Sequence, residues 1–295
     1  MPEGPEVETI RVGLLPIVGR KITDVRVADH KKYKPQRNKI KSLQQYTISD
    51  IQRRGKFLVF YFDKHSQIIT ALNHLGMTGV WYLYSDSVWQ EMTTPFKDYP
   101  HWKVYFHLDD GSHLLFVNVR TFGRFEIYEP QELENHPAIA GLGPDILADE
   151  FDTDEFIQRM RGKTSRPRTK EVGKCLLDYN IVAGCGNIYK NEALFLSGIN
   201  PFTPANMLTD DQLRNLGSKL SNVANLALKF KGSTLRDYRH VDGYSGLMQN
   251  QFSVYDREGE PCVNCSTAIE RAFQGDRSSF WCPSCQNNYS IDTDG

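Results

Sequence analysis

Apolar residues open the chain at helical spacing, with Val7, Ile10 and Leu14 on one face, and then switch to the shorter period of strands. Residues 21–28, 46–51, 56–62, 67–72 and 80–84 are rich in β-branched and aromatic side chains and are predicted to be strands. A hairpin is predicted within 101–128, because 102–108 and 113–119 flank the glycine-containing turn Asp109-Asp110-Gly111-Ser112. Short antiparallel strands behind a single helix predict a β-sandwich. From 129 to 150, through Pro130, Pro137 and Gly141-Leu142-Gly143-Pro144, turn formers break the pattern. Beyond them the period is helical: Thr209-Asp210-Asp211-Gln212 has capping-box form, and Leu213, Leu216, Leu220, Val223, Ala227 and Phe230 follow at steps of three and four. Two further helical stretches are predicted between 170 and 201, joined by Val182-Ala183-Gly184-Cys185-Gly186-Asn187, whose glycines permit a tight double turn. The expected architecture is α+β and multidomain: an N-terminal antiparallel β-sandwich with a leading helix (1–135), a linker (136–150), a helical domain with a helix-two-turn-helix (151–250) and a C-terminal segment (251–295).

A chain of 295 residues can bury a sizeable core in more than one domain. Net charge is −1, so nothing global points to a polyanionic partner, and such a partner would have to be met by local charge. Local segregation exists. Residues 30–41 carry Lys31, Lys32, Lys34, Arg37, Lys39 and Lys41, and residues 159–174 carry seven basic side chains against the single acid Glu171. A solvated face explains either run; Ser165-Arg166-Pro167-Arg168-Thr169-Lys170 also has the composition of a phosphate-contacting loop. The acidic N-terminus and the shortness of the longest apolar run, 57–62, point to an intracellular protein without a membrane span. In a reducing compartment six cysteines are not expected to form a disulfide framework.

Candidate chemistry begins at Met1-Pro2-Glu3-Gly4-Pro5-Glu6-Val7-Glu8. With Met1 removed, Pro2 offers a free secondary amine of pKa near ~8, partly unprotonated and nucleophilic at neutral pH. Attack on C1′ of a deoxyribose would expel the base and leave an iminium, whose fixed positive charge eases elimination of phosphate. Glu3, one peptide away, suits the general acid or base such chemistry needs. The same residues also describe an ordinary helix start, with Pro5 in the first turn and Glu6 and Glu8 behind it. Lys56 precedes an apolar strand and would project from its start, as a snorkelling surface lysine also would. Gly76 and Gly79 bracket Met77 in a turn that would push it outward, a core position being the alternative. Arg120 and Phe122 share a face if their strand continues. Asn187 is placed to cap a helix over 188–196, and exposed amides at such a start favour a phosphate.

Cys262-Val263-Asn264-Cys265 and Cys282-Pro283-Ser284-Cys285 give C-x2-C, sixteen residues, C-x2-C, the pattern of a four-cysteine zinc site. Four thiolates leave no open position, so one structural Zn²⁺ is expected, supplying on the order of 10 kcal/mol of folding energy that so small a segment lacks. Between the pairs, 271–281 is predicted to be a hairpin from which Arg277 could reach a phosphate. Cys175 and Cys185 are expected to be buried thiols.

Five stretches together resemble the formamidopyrimidine-DNA glycosylases and their relative endonuclease VIII: PEGPEVE at the start, HLGMTG at 74–79, VAGCGNIY at 182–189, GSTLRDY at 232–238, and VYDREGEPC through the final CPSC. The resemblance implies a base-excision-repair enzyme acting on damaged duplex DNA, with Pro2 as Schiff-base nucleophile, Glu3 as the acid that opens the sugar, Lys56 supporting β-elimination and Arg277 tied to δ-elimination and phosphate binding. It also implies DNA contacts at His74, His101, Arg168 and Asn187, and a void-filling trio of Met77, Arg120 and Phe122. That trio is similar to the branch acting on oxidised purines such as 8-oxoguanine, and 232–246 is similar to a loop that folds over the extruded purine. Gly4, Asn118-Val119, Gly173 and Asp276 depart from the pattern. Oxidised pyrimidines are the rival substrate, and a non-catalytic zinc protein that binds damaged DNA is the rival from another class. A cytoplasmic, DNA-associated monomer is expected.

Overall fold

The computed structural model of the protein describes residues 2–91, 95–233 and 246–287. Contacts divide it into two compact units, one holding Pro2, Glu6–Ala140 and the described ends of Lys231–Leu247, the other Glu3–Pro5, Gly141–Phe230 and the described part of Met248–Gly295.

In the first unit, helix α1 (Gly4–Leu14) leads into eight strands: β1 (Ile22–Val27), β2 (Thr47–Arg54), β3 (Phe57–Lys64), β4 (Gln67–His74), β5 (Gly79–Tyr84), β6 (Trp102–Leu108), β7 (His113–Asn118) and β8 (Arg124–Tyr128). They form two antiparallel four-stranded sheets, ordered β2-β3-β4-β8 and β1-β6-β7-β5. Alternation decides what lies between them. Leu58, Phe60 and Phe62, two apart on β3, share one core with Trp81, Phe106, Phe116 and Phe125 and with Val7, Ile10 and Leu14 of α1. Trp81 can be wholly buried because its indole N–H donates to Asn73 Oδ1 at 2.9 Å. The sandwich and its leading helix are thus as the periodicity foretells.

Short helices fill the connections: α2 (Arg37–Lys41), α3 (Asp86–Glu91), α4 (Pro95–Asp98), α5 (Pro130–Glu134) and α6 (Pro137–Ala140). Residues 82–97 carry little of the family resemblance and are expected to be a loop, but those described do not lie bare. Trp89 and Phe96 cover the outer face of the second sheet and pack on Tyr105, Leu115 and Val117 as a satellite apolar cluster. Aromatics too far apart for any periodic signal gave no warning of it.

The second unit opens on α7 (Thr153–Arg161), capped by Asp152, followed by the small hairpin β9 (Gly162–Lys163) and β10 (Arg166–Pro167). Next come α8 (Val172–Cys175), a turn through Gly184 and Gly186, α9 (Asn187–Leu196) and α10 (Asp210–Lys229), whose capping box joins Thr209 and Gln212. One apolar core unites Phe156, Leu176, Ile188, Tyr189, Leu213, Leu216 and Leu220. At the C-terminal end β11 (Glu270–Gln274) and β12 (Arg277–Trp281) form the expected hairpin, turned at Gly275 (φ +71°).

Candidate active site

Helix α9 begins against Glu3. Its first amides have no intrahelical partner, and Ile188 N (3.1 Å) and Tyr189 N (3.4 Å) donate to the Glu3 carboxylate, which is 4% exposed. The expectation of a phosphate at this helix start is therefore corrected: a carboxylate of the same chain fills the anion position. Asn187 is also not the cap. The N-cap is Gly186, and a Cβ there would fall inside the Glu3 carboxyl group, so glycine is required by close approach. One residue along, Gly4 N donates to Gly184 O at 2.8 Å, which fixes the N-terminal segment to the turn on a second side.

The rest of α9 holds the hairpin that carries Arg277. Asn187 Nδ2 donates to Ser278 O (2.9 Å), Lys190 Nζ to Ser279 Oγ (2.7 Å), and Phe280 N donates to Asn191 Oδ1 (3.0 Å). Three successive hairpin residues are thus gripped by one helix, while the Arg277 guanidinium next to them stays partly exposed, 3.7 Å from Asp276. Lys190 is fully buried and its ammonium is pushed down to about 8 by burial, with Arg277 acting the same way and Cys185 and Glu3 opposing. Arg168, beside β10, gives one guanidinium N–H to Arg159 O (3.3 Å), while its Nε has no hydrogen-bond partner among the described residues.

Four thiols converge next to this hairpin. Cys262 and Cys285 sulfurs lie 3.9 Å apart, Cys265 and Cys282 3.5 Å, Cys265 and Cys285 3.4 Å, and all four lie within 4.8 Å of one another. A tetrahedron with Zn–S bonds of about 2.3 Å has edges of about 3.8 Å, so the set fits Zn²⁺. Asn264 N and Cys285 N point at Cys262 and Cys282 sulfurs, both at 3.4 Å, the amide support that thiolate ligands need. Cys175 and Cys185 are buried thiols of the helical core, as expected.

In the first unit, Pro2 is buried and Lys56 half-buried at the β2–β3 turn. Paired with Phe57 across the sheet, His74 ends β4 with its ring 5.0 Å from that of Phe57. Burial first, then Lys56, Arg124 and Lys32, push the His74 imidazole down to about 4, so it is neutral at physiological pH. Strand β7 stops at Asn118, so Arg120 and Phe122 do not share a strand face. A turn with Thr121 at φ +57° brings them together instead, the guanidinium 5.2 Å from the Phe122 ring. The Met77 turn lies against that loop: a Cβ on Gly76 would come 2.7 Å from the Phe122 carbonyl carbon, and Thr78 Oγ1 accepts from Arg120 N at 2.9 Å. Phe122 is 54% exposed. Lys32 donates to the Thr121 and Phe122 carbonyls (2.8 and 3.0 Å), so one cation of the basic run at 30–41 is structural. His101 is exposed and accepts from Asn118 N through its carbonyl.

Family models match along the chain in order: the formamidopyrimidine-DNA glycosylase N-terminal domain at residues 1–125, its H2TH domain at 142–239, and a zinc finger found in FPG and IleRS at 259–288. The formamidopyrimidine-DNA glycosylase of Geobacillus kaustophilus is 38% identical over 292 residues, 97% of this chain and all of its own. That of Dinoroseobacter shibae is 36% identical, again over 97% of this chain and all of its own. The chain belongs to the formamidopyrimidine-DNA glycosylase family. Among solved structures, MutM (Fpg) of Thermus thermophilus superposes with a TM-score of 0.82 at 33% identity, covering 98% of this chain and all of that one. The Lactococcus lactis Fpg, solved with DNA containing an abasic site, gives 0.83 at 29% over 97% of this chain and all of that one. Cluster and family together assign one structural Zn²⁺ to the four cysteines.

Two of the departures from the formamidopyrimidine-DNA glycosylase pattern have local causes. At Gly173 the space a side chain would need is taken by Gln274, which donates to Glu171 and to Pro201 O, both at 2.8 Å. Asn118 is buried and its Oδ1 accepts from Thr78 at 3.3 Å, joining the two loops. Of the segment similar to a purine-covering loop, 232–246, residues 234–245 lie outside the described residues. Sequence reading missed two buried carboxylates. Glu6 accepts from Ser233 N (2.8 Å) and Oγ (3.0 Å) at the start of that segment. Glu192, 2% exposed, accepts from Ser253, Val254 and Tyr255 amides within 3.0 Å. The signal for Glu192 was present: it sits four after Ile188 and three before Phe195, a carboxylate on a buried helical face.

Proposed function

We propose that this enzyme binds damaged duplex DNA, excises oxidised purines such as 8-oxoguanine and then cuts the backbone at the abasic site. The processed Pro2 nitrogen attacks C1′; the C1′–base bond breaks and the base leaves with a proton. Glu3 protonates the ring oxygen as the sugar opens, which leaves an iminium between Pro2 and C1′. Loss of a C2′ proton, supported by Lys56, expels the 3′ phosphate, and a second elimination, to which Arg277 is tied, expels the 5′ phosphate. Met77, Arg120 and Phe122 enter the gap left by the flipped nucleotide, where an apolar wedge and a guanidinium offset a few kcal/mol of lost stacking. His74, His101, Arg168 and Asn187 meet the backbone. We assign catalysis to 1–135, duplex grip to 151–250 and the finger to 251–295, in a cytoplasmic monomer.

The observation that carries this reading is Glu3, fixed on two sides of its peptide neighbourhood by the Gly184–Tyr189 turn immediately after the candidate nucleophile. Single-turnover release of 8-oxoguanine opposite cytosine and of thymine glycol tests the substrate class. Faster purine release is expected; faster pyrimidine release would transfer the same machinery to the rival substrate.

A further inference from the structure

Outside the candidate active site, three side chains on the outer face of the second sheet converge without a role in the reaction above. His107 and His113 are directly opposed on β6 and β7, so both project from one face. Their ring centroids are 4.7 Å apart. Strand β5 pairs with β7 through Tyr84 and His113, and the chain just beyond it delivers Asp86, whose Oδ1 lies 3.1 Å from His113 Nε2. One donor atom from each of the three lies within 4.8 Å of the others.

Hydrogen bonding fixes which nitrogen of His107 is available. Thr23 Oγ1 has a single hydrogen and donates it to the His107 carbonyl at 3.0 Å. With that hydrogen on the carbonyl, the same oxygen, 2.9 Å from His107 Nδ1, is left to accept from an Nδ1–H. His107 is thus the tautomer with a bare Nε2, and that atom has no hydrogen-bond partner among the described residues. His113 is 5% exposed, stacks on Trp89 at 4.6 Å, and has Tyr105 Oη 2.8 Å from its Nδ1. Tyr105 can accept from Nδ1–H and leave Nε2 free, so both imidazoles have the outer hydrogen bond typical of metal-ligating histidine. A hydrogen-bonded Tyr105–His113–Asp86 chain satisfies those three groups but leaves His107 Nε2 unused.

We infer that Asp86, His107 and His113 bind a divalent transition metal, with Zn²⁺ the ion their chemistry suits best. Two imidazoles and one carboxylate suit its ligand preference, and the 3.1 Å separation is near the roughly 3.3 Å edge of a tetrahedron with bonds of about 2.05 Å. Asp86 is half exposed and leaves a fourth position to water. Bound there, the ion clips α3 and its aromatic cover onto the sheet, a part of the chain that departs from the family pattern.

The test is titration of the holoprotein, its finger already filled with zinc, with Co²⁺. One further equivalent is expected, with the comparatively strong visible d–d bands of four-coordinate Co²⁺ and no thiolate charge-transfer absorption. His107→Gln and Asp86→Asn should each weaken it at least about tenfold; Asp86→Asn keeps an acceptor for His113, so the cover stays in place. Added Co²⁺ should raise Tm for the wild type and for neither variant. Absence of a second equivalent, its retention in both variants, or a charge-transfer band marking exchange into the finger would each overturn the assignment.

Discussion

The turn at Gly184–Asn187 and the turn at Gly76–Gly79 are both punctuated by glycine, and each puts a candidate functional group beside it. In the first, a buried carboxylate takes two helix-start amides, and glycine is required because that carboxylate occupies the space of a side chain. In the second, backbone packs on backbone at Gly123, while Phe122 itself stands 54% exposed. A group that must deliver a proton to one atom gains from being locked by desolvated hydrogen bonds. Groups that enter a gap only after a nucleotide has moved gain from a firm loop base and free side chains.

The largest effect expected from this contrast is on chemistry at Glu3. Glu3→Gln should lower base excision by at least about a hundredfold, while strand cleavage at a preformed abasic site, routed through the Pro2 amine in the proposed mechanism, persists; single-turnover assays on both substrates check it. Gly186→Ala should act through the same atom. Its Cβ displaces the carboxylate, so excision should fall with Glu3→Gln and stability should drop by about 1–3 kcal/mol in chemical denaturation. Phe122→Ala should separate function from folding. Stability should move by less than about 0.5 kcal/mol, whereas excision should slow about tenfold, equal to ~1.4 kcal/mol of barrier; a fluorescent base opposite the lesion should report less flipping.

The effect furthest from the chemistry is in pH. His74 is held at about 4 against its usual 6.5 by burial, with Lys56, Arg124 and Lys32 adding to the shift. The folded chain keeps it neutral where the unfolded chain takes up a proton. Its contribution is therefore complete above the unfolded value and lost as pH falls from 6.5 toward 4, by at most ~1.4 kcal/mol per pH unit. His74→Gln should flatten that part of the stability profile, measured by denaturation at pH 7 and pH 5.

Much of this was legible beforehand. Strand periodicity found the sandwich, a capping box found α10, and cysteine spacing found the zinc ligands, because each is a local pattern that physics reads locally. What stayed hidden joins residues far apart in sequence. Glu3 meets Ile188 across 185 positions, and Glu192 meets Val254 across 62. A glycine pair shows that something comes close, not which residue does. The stacked pair Arg120 and Phe122 was found for a strand reason and is held by a turn.

The central claim is that the unblocked Pro2 nitrogen is the nucleophile. Borohydride reduction during turnover on damaged duplex, followed by mass mapping of the cross-linked peptide, addresses it directly. The adduct is expected on an N-terminal peptide that begins at Pro2 and lacks Met1, with none formed by Pro2→Gly. An adduct on a lysine, or full activity in a chain that retains Met1, would contradict it.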